Sequence, residues 1–140
     1  MGHYEFIDHT ADIIIRATGD SLEDAFATAA KAMFAVITDS APIDAIETFE
    51  LEIDSIDLEG LLVQFLSELI VIHETEDVVL ADFTITFGHD FTLKAIARGE
   101  KFDSLRHGRG TPVKGISYHM MEIEPGGKDR PGIVQVLFDI

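Results

Sequence analysis

A chain of 140 residues with no cysteine is long enough to bury one core without covalent staples, and it can form neither a disulfide nor a thiolate metal site. Its formal charge of −16 comes with an ordinary charged fraction of 26%, so the imbalance reflects scarce Lys and Arg; such a field repels phosphate backbones, disfavours broad nucleic-acid binding and suits cations or basic protein surfaces. No apolar run nears the roughly 18 residues of a membrane span, and the opening Met1-Gly2-His3-Tyr4-Glu5 carries neither a secretory leader nor a myristoylation pattern, so the expected location is the cytoplasm.

Tyr4 and Phe6, then Ile13, Ile15 and Ala17, predict two short strands on either side of Asp8-His9-Thr10-Ala11-Asp12. Gly19-Asp20 breaks the pattern. Ser21 then opens a helix as its N-cap, with Asp24 as a shortened capping box. Leu22, Ala25, Phe26, Ala29, Met33 and Phe34 form the apolar face, and the helix ends near Thr38-Asp39-Ser40, before Pro42. Ile46, Phe49, Leu51 and Ile53 predict a strand. Ser55 or Asp57 caps a second helix, where Leu58, Leu61, Leu62, Phe65, Leu66, Leu69 and Ile70 recur with the 3.6-residue period.

Beyond Asp77 the pattern is strand. Val78 to Phe87, the turn Gly88-His89-Asp90 and the return from Phe91 to Arg98 predict a hairpin. Residues 99–112 combine Gly99, Gly108, Gly110 and Pro112 with Lys101, Arg106, His107 and Arg109. They read as a flexible, locally basic loop, with His107, like His3, His73 and His89, at a surface or turn position. Val113 to Glu124 is a further strand, ended by Pro125-Gly126-Gly127. The last strand, Ile133 to Phe138, is apolar enough to lie inside a sheet. This order predicts a single α+β domain over 1–140, with two helices packed on one face of a mainly antiparallel sheet.

Asp8, Asp12, Asp139 and the α-carboxylate of Ile140 are oxygen donors. Clustered carboxylates repel one another unless a cation or proton intervenes, and hard cations such as Ca²⁺ or Mg²⁺ take such donors. The spacing matches no EF-hand, and a turn-forming Asp8 with a solvated Asp139 accounts for the same residues. His9 and His119 suit either a metal or proton-carrying role or a structural hydrogen bond. Lys114 suits neutralising the carboxylates, binding an anion or guarding a strand edge. No phosphate-cradling glycine motif and no Gly-x-Ser-x-Gly elbow occurs.

Asp8-His9-Thr10-Ala11-Asp12-Ile13, Gly19 and Ser21-Leu22-Glu23-Asp24-Ala25-Phe26 together resemble the opening of the archease family. Lys114-Gly115-Ile116-Ser117-Tyr118-His119 is similar to that family's Lys-Ala-x-Thr-x-His segment, with Gly115 and Ser117 replacing Ala and Thr. Gly99-Glu100 and the terminal Leu137-Phe138-Asp139-Ile140 extend the likeness over nearly the whole chain. The resemblance implies a compact α+β fold and a non-enzymatic accessory protein for the RNA-splicing ligase that joins tRNA exon halves. It implies that the protein promotes the ligase's guanylylation and multiple turnover. It assigns a calcium-type site to Asp12 and Asp139 with the chain end at Ile140, and a required lysine to Lys114. Asp8, His9 and His119 would then lie around the site. Two other readings compete. One is a divalent-metal-dependent phosphoester hydrolase built on Asp8, Asp12, Asp139 and His9. The other is a chaperone-like binding module, which requires a sizeable exposed apolar patch.

Overall fold

The computed structural model describes residues 2–7, 12–108 and 110–140. In chain order these form β1 (His3–Ile7), β2 (Asp12–Gly19), α1 (Leu22–Thr38), β3 (Glu47–Asp54), α2 (Leu58–Glu76), β4 (Val78–Phe87), β5 (Thr92–Lys101), α3 (Ser104–His107), β6 (Gly115–Glu124) and β7 (Gly132–Asp139).

Local chemistry explains the helix ends. The Ser21 hydroxyl accepts the Asp24 N–H at 3.1 Å, and the Asp24 carboxylate turns back to the Asp20 N–H at 3.0 Å. This is a capping box shifted by one residue. Asp57, not Ser55, caps α2 by accepting the Gly60 N–H at 2.7 Å. Both helices stop at an aspartate in the left-handed region, Asp39 at φ 52° and Asp77 at φ 55°, a conformation that Asp tolerates better than most residues.

The α+β class agrees with the sequence, but the strands divide into two antiparallel sheets rather than one. Their orders are β1-β2-β7-β6 and β3-β5-β4. The helices join them. α1 packs on β2 and β7 of the first sheet and on β4 of the second, while α2 packs on β6 and on β3, β4 and β5. Ala25, Ala29, Ala30 and Ala32 of α1 are wholly buried, and their small side chains let both sheets approach the helix closely. Phe26 lies at the centre, stacked on Phe65 at 6.3 Å and edge-on to Phe87 at 5.1 Å. β7 is interior, as its apolar run predicts, and Phe138 is fully buried.

Residues 99–108 and 110–112 are more ordered than the glycines of this stretch suggest. Residues 99–101 complete β5, and α3 follows. The Asp103 carboxylate accepts the Leu105 N–H, and the His107 Nδ1 accepts the Asp103 N–H, each at 2.9 Å. His107 is fully buried rather than at the surface, because it closes this turn against Glu100. Thr111 then donates its N–H to the Val36 carbonyl at 2.9 Å. Val113 is buried ahead of β6. Among the described residues, no helix is long and apolar enough to cross a membrane.

Candidate functional site

Strand register builds the site. Asp12 on β2 and Asp139 on β7 are direct cross-strand partners, and Asp139 also pairs with Gly115 on β6. Side chains alternate along a strand. Phe138 enters the core, so the Asp12–Asp139–Gly115 rung faces the opposite side of the sheet. A methyl group added at Gly115 would meet nothing within 4 Å, which leaves the space beside Asp139 open. The Lys114 N–H donates to the Asp139 carbonyl at 2.7 Å. That bond ties the entry of β6 to the end of β7.

A shallow depression of about 560 Å³ lies over this rung, lined by Asp12, Asp139, Gly115, Ile116, Ser117, Tyr118, His119 and Leu137. Its wall is an irregular stretch of β6. Ser117 pairs with Leu137 and Glu122 with Gln135, so residues 118–121 oppose Val136 alone. Met120 takes φ 58° there. The extra residues bend the strand, and Tyr118 and Met120 are left 59% and 50% exposed. The His119 N–H donates to the Ser117 hydroxyl at 3.0 Å. Behind the bulge, the Gln135 amide donates to the Met120 carbonyl at 2.9 Å and accepts from the Arg16 guanidinium at 3.1 Å. Arg16 also lies 3.7 Å from Glu122 and 3.6 Å from Glu124. Arg16 and Gln135 escaped sequence reasoning, although a lone amide in an apolar strand is a detectable signal.

The expected residues are thus partly gathered. Asp12, Asp139 and the exposed His119 share the depression. Lys114 adjoins it through its backbone, while its exposed side chain stands outside the lining. Ile140 packs its side chain against the core beside Asp139. Asp8 and His9 lie outside the described residues. Two carboxylates on one rung repel each other, and their oxygens fit a hard cation in chemical kind. Among the described residues no group of three or more His, Cys, Asp or Glu side chains is placed to hold a metal. A cation here would therefore take most of its oxygens from elsewhere.

A second polar cluster sits at the far end of the segment that leads into Lys114. Glu100 is only 6% exposed. One of its oxygens accepts the Asp44 N–H at 2.6 Å and faces His107 Nε2 at 3.1 Å, and the other accepts from Arg106 at 2.6 Å. Arg106 also reaches the Asp44 carboxylate at 3.0 Å. The Asp44 N–H, followed by His107 and the Arg106 charge, holds the Glu100 carboxyl below the ordinary glutamate range against the opposing effect of burial. The Asp44 hydrogen bond and the Glu100 charge raise Arg106 in turn.

Residues 4–140 match the model of the Archease protein family. The chain is 44% identical over 133 residues to the archease of Pyrococcus abyssi, covering 91% of this chain and 94% of that one. It is 42% identical over 128 residues to the archease of Sulfurisphaera tokodaii, covering 91% and 92%. Among solved structures, Methanobacterium thermoautotrophicum protein 1598 superposes with a TM-score of 0.80 at 37% identity, covering 98% of both chains. A Thermotoga maritima archease, described as a possible chaperone, shares the fold with a TM-score of 0.61 at 20% identity over 96% of this chain and 94% of that one.

Proposed function

The chain belongs to the archease family, and from that premise we propose that it is a non-enzymatic accessory factor that activates an RNA-splicing ligase in tRNA splicing. In this role it promotes ligase guanylylation and multiple turnover from the cytoplasm. Asp12 and Asp139, with the carboxylate of Ile140, hold a divalent cation, with Ca²⁺ as the fitting ion. Lys114 acts beside them on the ligase or its guanylate. The observation that carries this reading is the shared rung of Asp12 and Asp139 together with the Lys114 N–H bonded to the Asp139 carbonyl. It gathers, from both ends of the sequence and from the approach to β6, the three residues that the family likeness singles out.

When bound, the cation supplies charge neutralisation and a Lewis-acidic centre. Asp12 and Asp139 would hold it where β2 begins and β7 ends, and the open space at Gly115 leaves that site accessible to a partner. A net charge of −16 steers this surface toward a basic groove of the kind an RNA ligase needs for its substrate. The protein itself has no need of broad RNA contacts. The test is ligation of tRNA halves by a purified ligase with GTP and divalent metal. Multiple turnover is expected with the wild type and not with Asp12→Ala, Lys114→Ala or Asp139→Ala. A competent ligase indifferent to the wild-type protein overturns the proposal.

A chaperone-like role is the second reading. Phe6 and Ile7 at one edge of the sheet are 50% and 38% exposed, and Tyr118 and Met120 at the other edge are similarly open. Suppression of client aggregation with divalent metal chelated would favour it.

A further inference from the structure

We propose that Glu100 and His107 are positioning residues that fix the path of the segment delivering Lys114 to the acidic rung. The inference rests on the accessory-factor reading for its consequence but not for its geometry.

The geometry begins with a proton assignment. A backbone N–H only donates, so the Asp103 N–H at 2.9 Å from His107 Nδ1 requires that nitrogen to be bare. The ring proton is then on Nε2, which donates to Glu100 at 3.1 Å. His107 is thus held at both nitrogens, wholly buried, with its ring stacked on Phe102 at 5.8 Å. Glu100 in turn is bound to the α1–β3 connection through Asp44 and to α3 through Arg106. One buried carboxylate therefore joins the end of the second sheet, the connection after α1 and the turn of α3.

The other end of the segment is fixed against α1 and the first sheet. Gly110 lies against the carbonyls of Val36 and Ile37, closer than any side chain would allow. Thr111 bonds to Val36, Val113 is buried, and the Lys114 N–H reaches Asp139. Lys114 has an exposed side chain, so its position depends on this backbone path rather than on packing of its own. Loosening the Glu100–His107 lock frees one of the two ends that hold this path, while the β2–β7 ladder, which meets the segment at the Lys114–Asp139 bond and not at Glu100 or His107, stays in place.

Glu100→Gln removes the charge that Arg106 meets. His107→Asn retains an acceptor near the Nδ1 position but loses the donor to Glu100. Amide hydrogen exchange is expected to speed at least tenfold at Lys114 in both variants, with the amides of β2 and β7 unchanged. In ligation assays, each variant should lower stimulated turnover at least tenfold, and Glu100→Gln combined with Lys114→Ala should be no worse than Lys114→Ala alone. Measured at protein concentrations where Lys114→Ala still stimulates detectably, that non-additivity is the mark of one residue acting through the other, and general destabilisation would not produce it. Unchanged Lys114 exchange, or exchange that rises equally throughout the fold, overturns the positioning claim. Additive losses in the double variant overturn its functional consequence. A wild-type protein that stimulates no ligase defeats the accessory-factor reading instead, and the exchange result then still decides the geometry.

Discussion

Asp12 and Asp139 share one rung of the β2–β7 ladder, one from each end of the sequence. Like charges placed directly opposite each other destabilise an antiparallel pair by roughly 0.2–1 kcal/mol. In chelator, Asp139→Asn should therefore raise the melting temperature by about 1–4 °C. Calcium should raise the melting temperature of the wild type and not that of the variant. Differential scanning calorimetry with and without calcium checks both signs. An equal calcium response in the two proteins would remove Asp139 from the metal site.

Lys114 adjoins the depression but does not line it. Its substitution should therefore separate two properties. Lys114→Ala is expected to keep the calcium-dependent rise in melting temperature and to lose at least tenfold in stimulated ligation turnover. Loss of the calcium response as well would mean that the Lys114 side chain helps to order the carboxylates that hold the cation, since an ammonium group has no lone pair to offer it.

Glu100 makes an acid-dependent contribution to stability. Its folded carboxyl lies below the ordinary range because the Asp44 N–H, His107 and Arg106 favour the charged form. The contribution is then fully present above the unfolded glutamate value of about 4.3 and is lost as the pH falls through the depressed folded value. Urea unfolding from about pH 6 to about pH 3 should show the advantage of wild type over Glu100→Gln shrinking on the acid side. An advantage that stays constant over this range would refute the assignment.

The two glycines flanking Lys114's approach should respond oppositely to the same substitution. At Gly110 a Cβ would strike the carbonyls of Val36 and Ile37, whereas at Gly115 it meets nothing within 4 Å. Gly110→Ala should cost about 1–3 kcal/mol, as overpacking does. Gly115→Ala should stay within about 0.5 kcal/mol of wild type. Chemical denaturation of the two single variants measures the difference.

The sequence by itself determined the local elements. The i, i+3, i+4 recurrence through Phe65 and Leu69 marked α2, the turn Gly88-His89-Asp90 marked the β4–β5 hairpin, and the apolar run before Asp139 marked β7 as interior. These are short-range signals, set by side-chain periodicity and turn chemistry. The motif likeness likewise drew attention to Asp12, Lys114 and Asp139. Only the tertiary structure decided that the strands split into two sheets, because periodicity records which face of a strand is buried and not which distant strand lies beside it. The register that sets Asp12 opposite Asp139 is such a long-range pairing. So is the burial of His107, whose neighbours Gly108 and Arg106 read as loop until Glu100 supplies a buried acceptor from the end of β5.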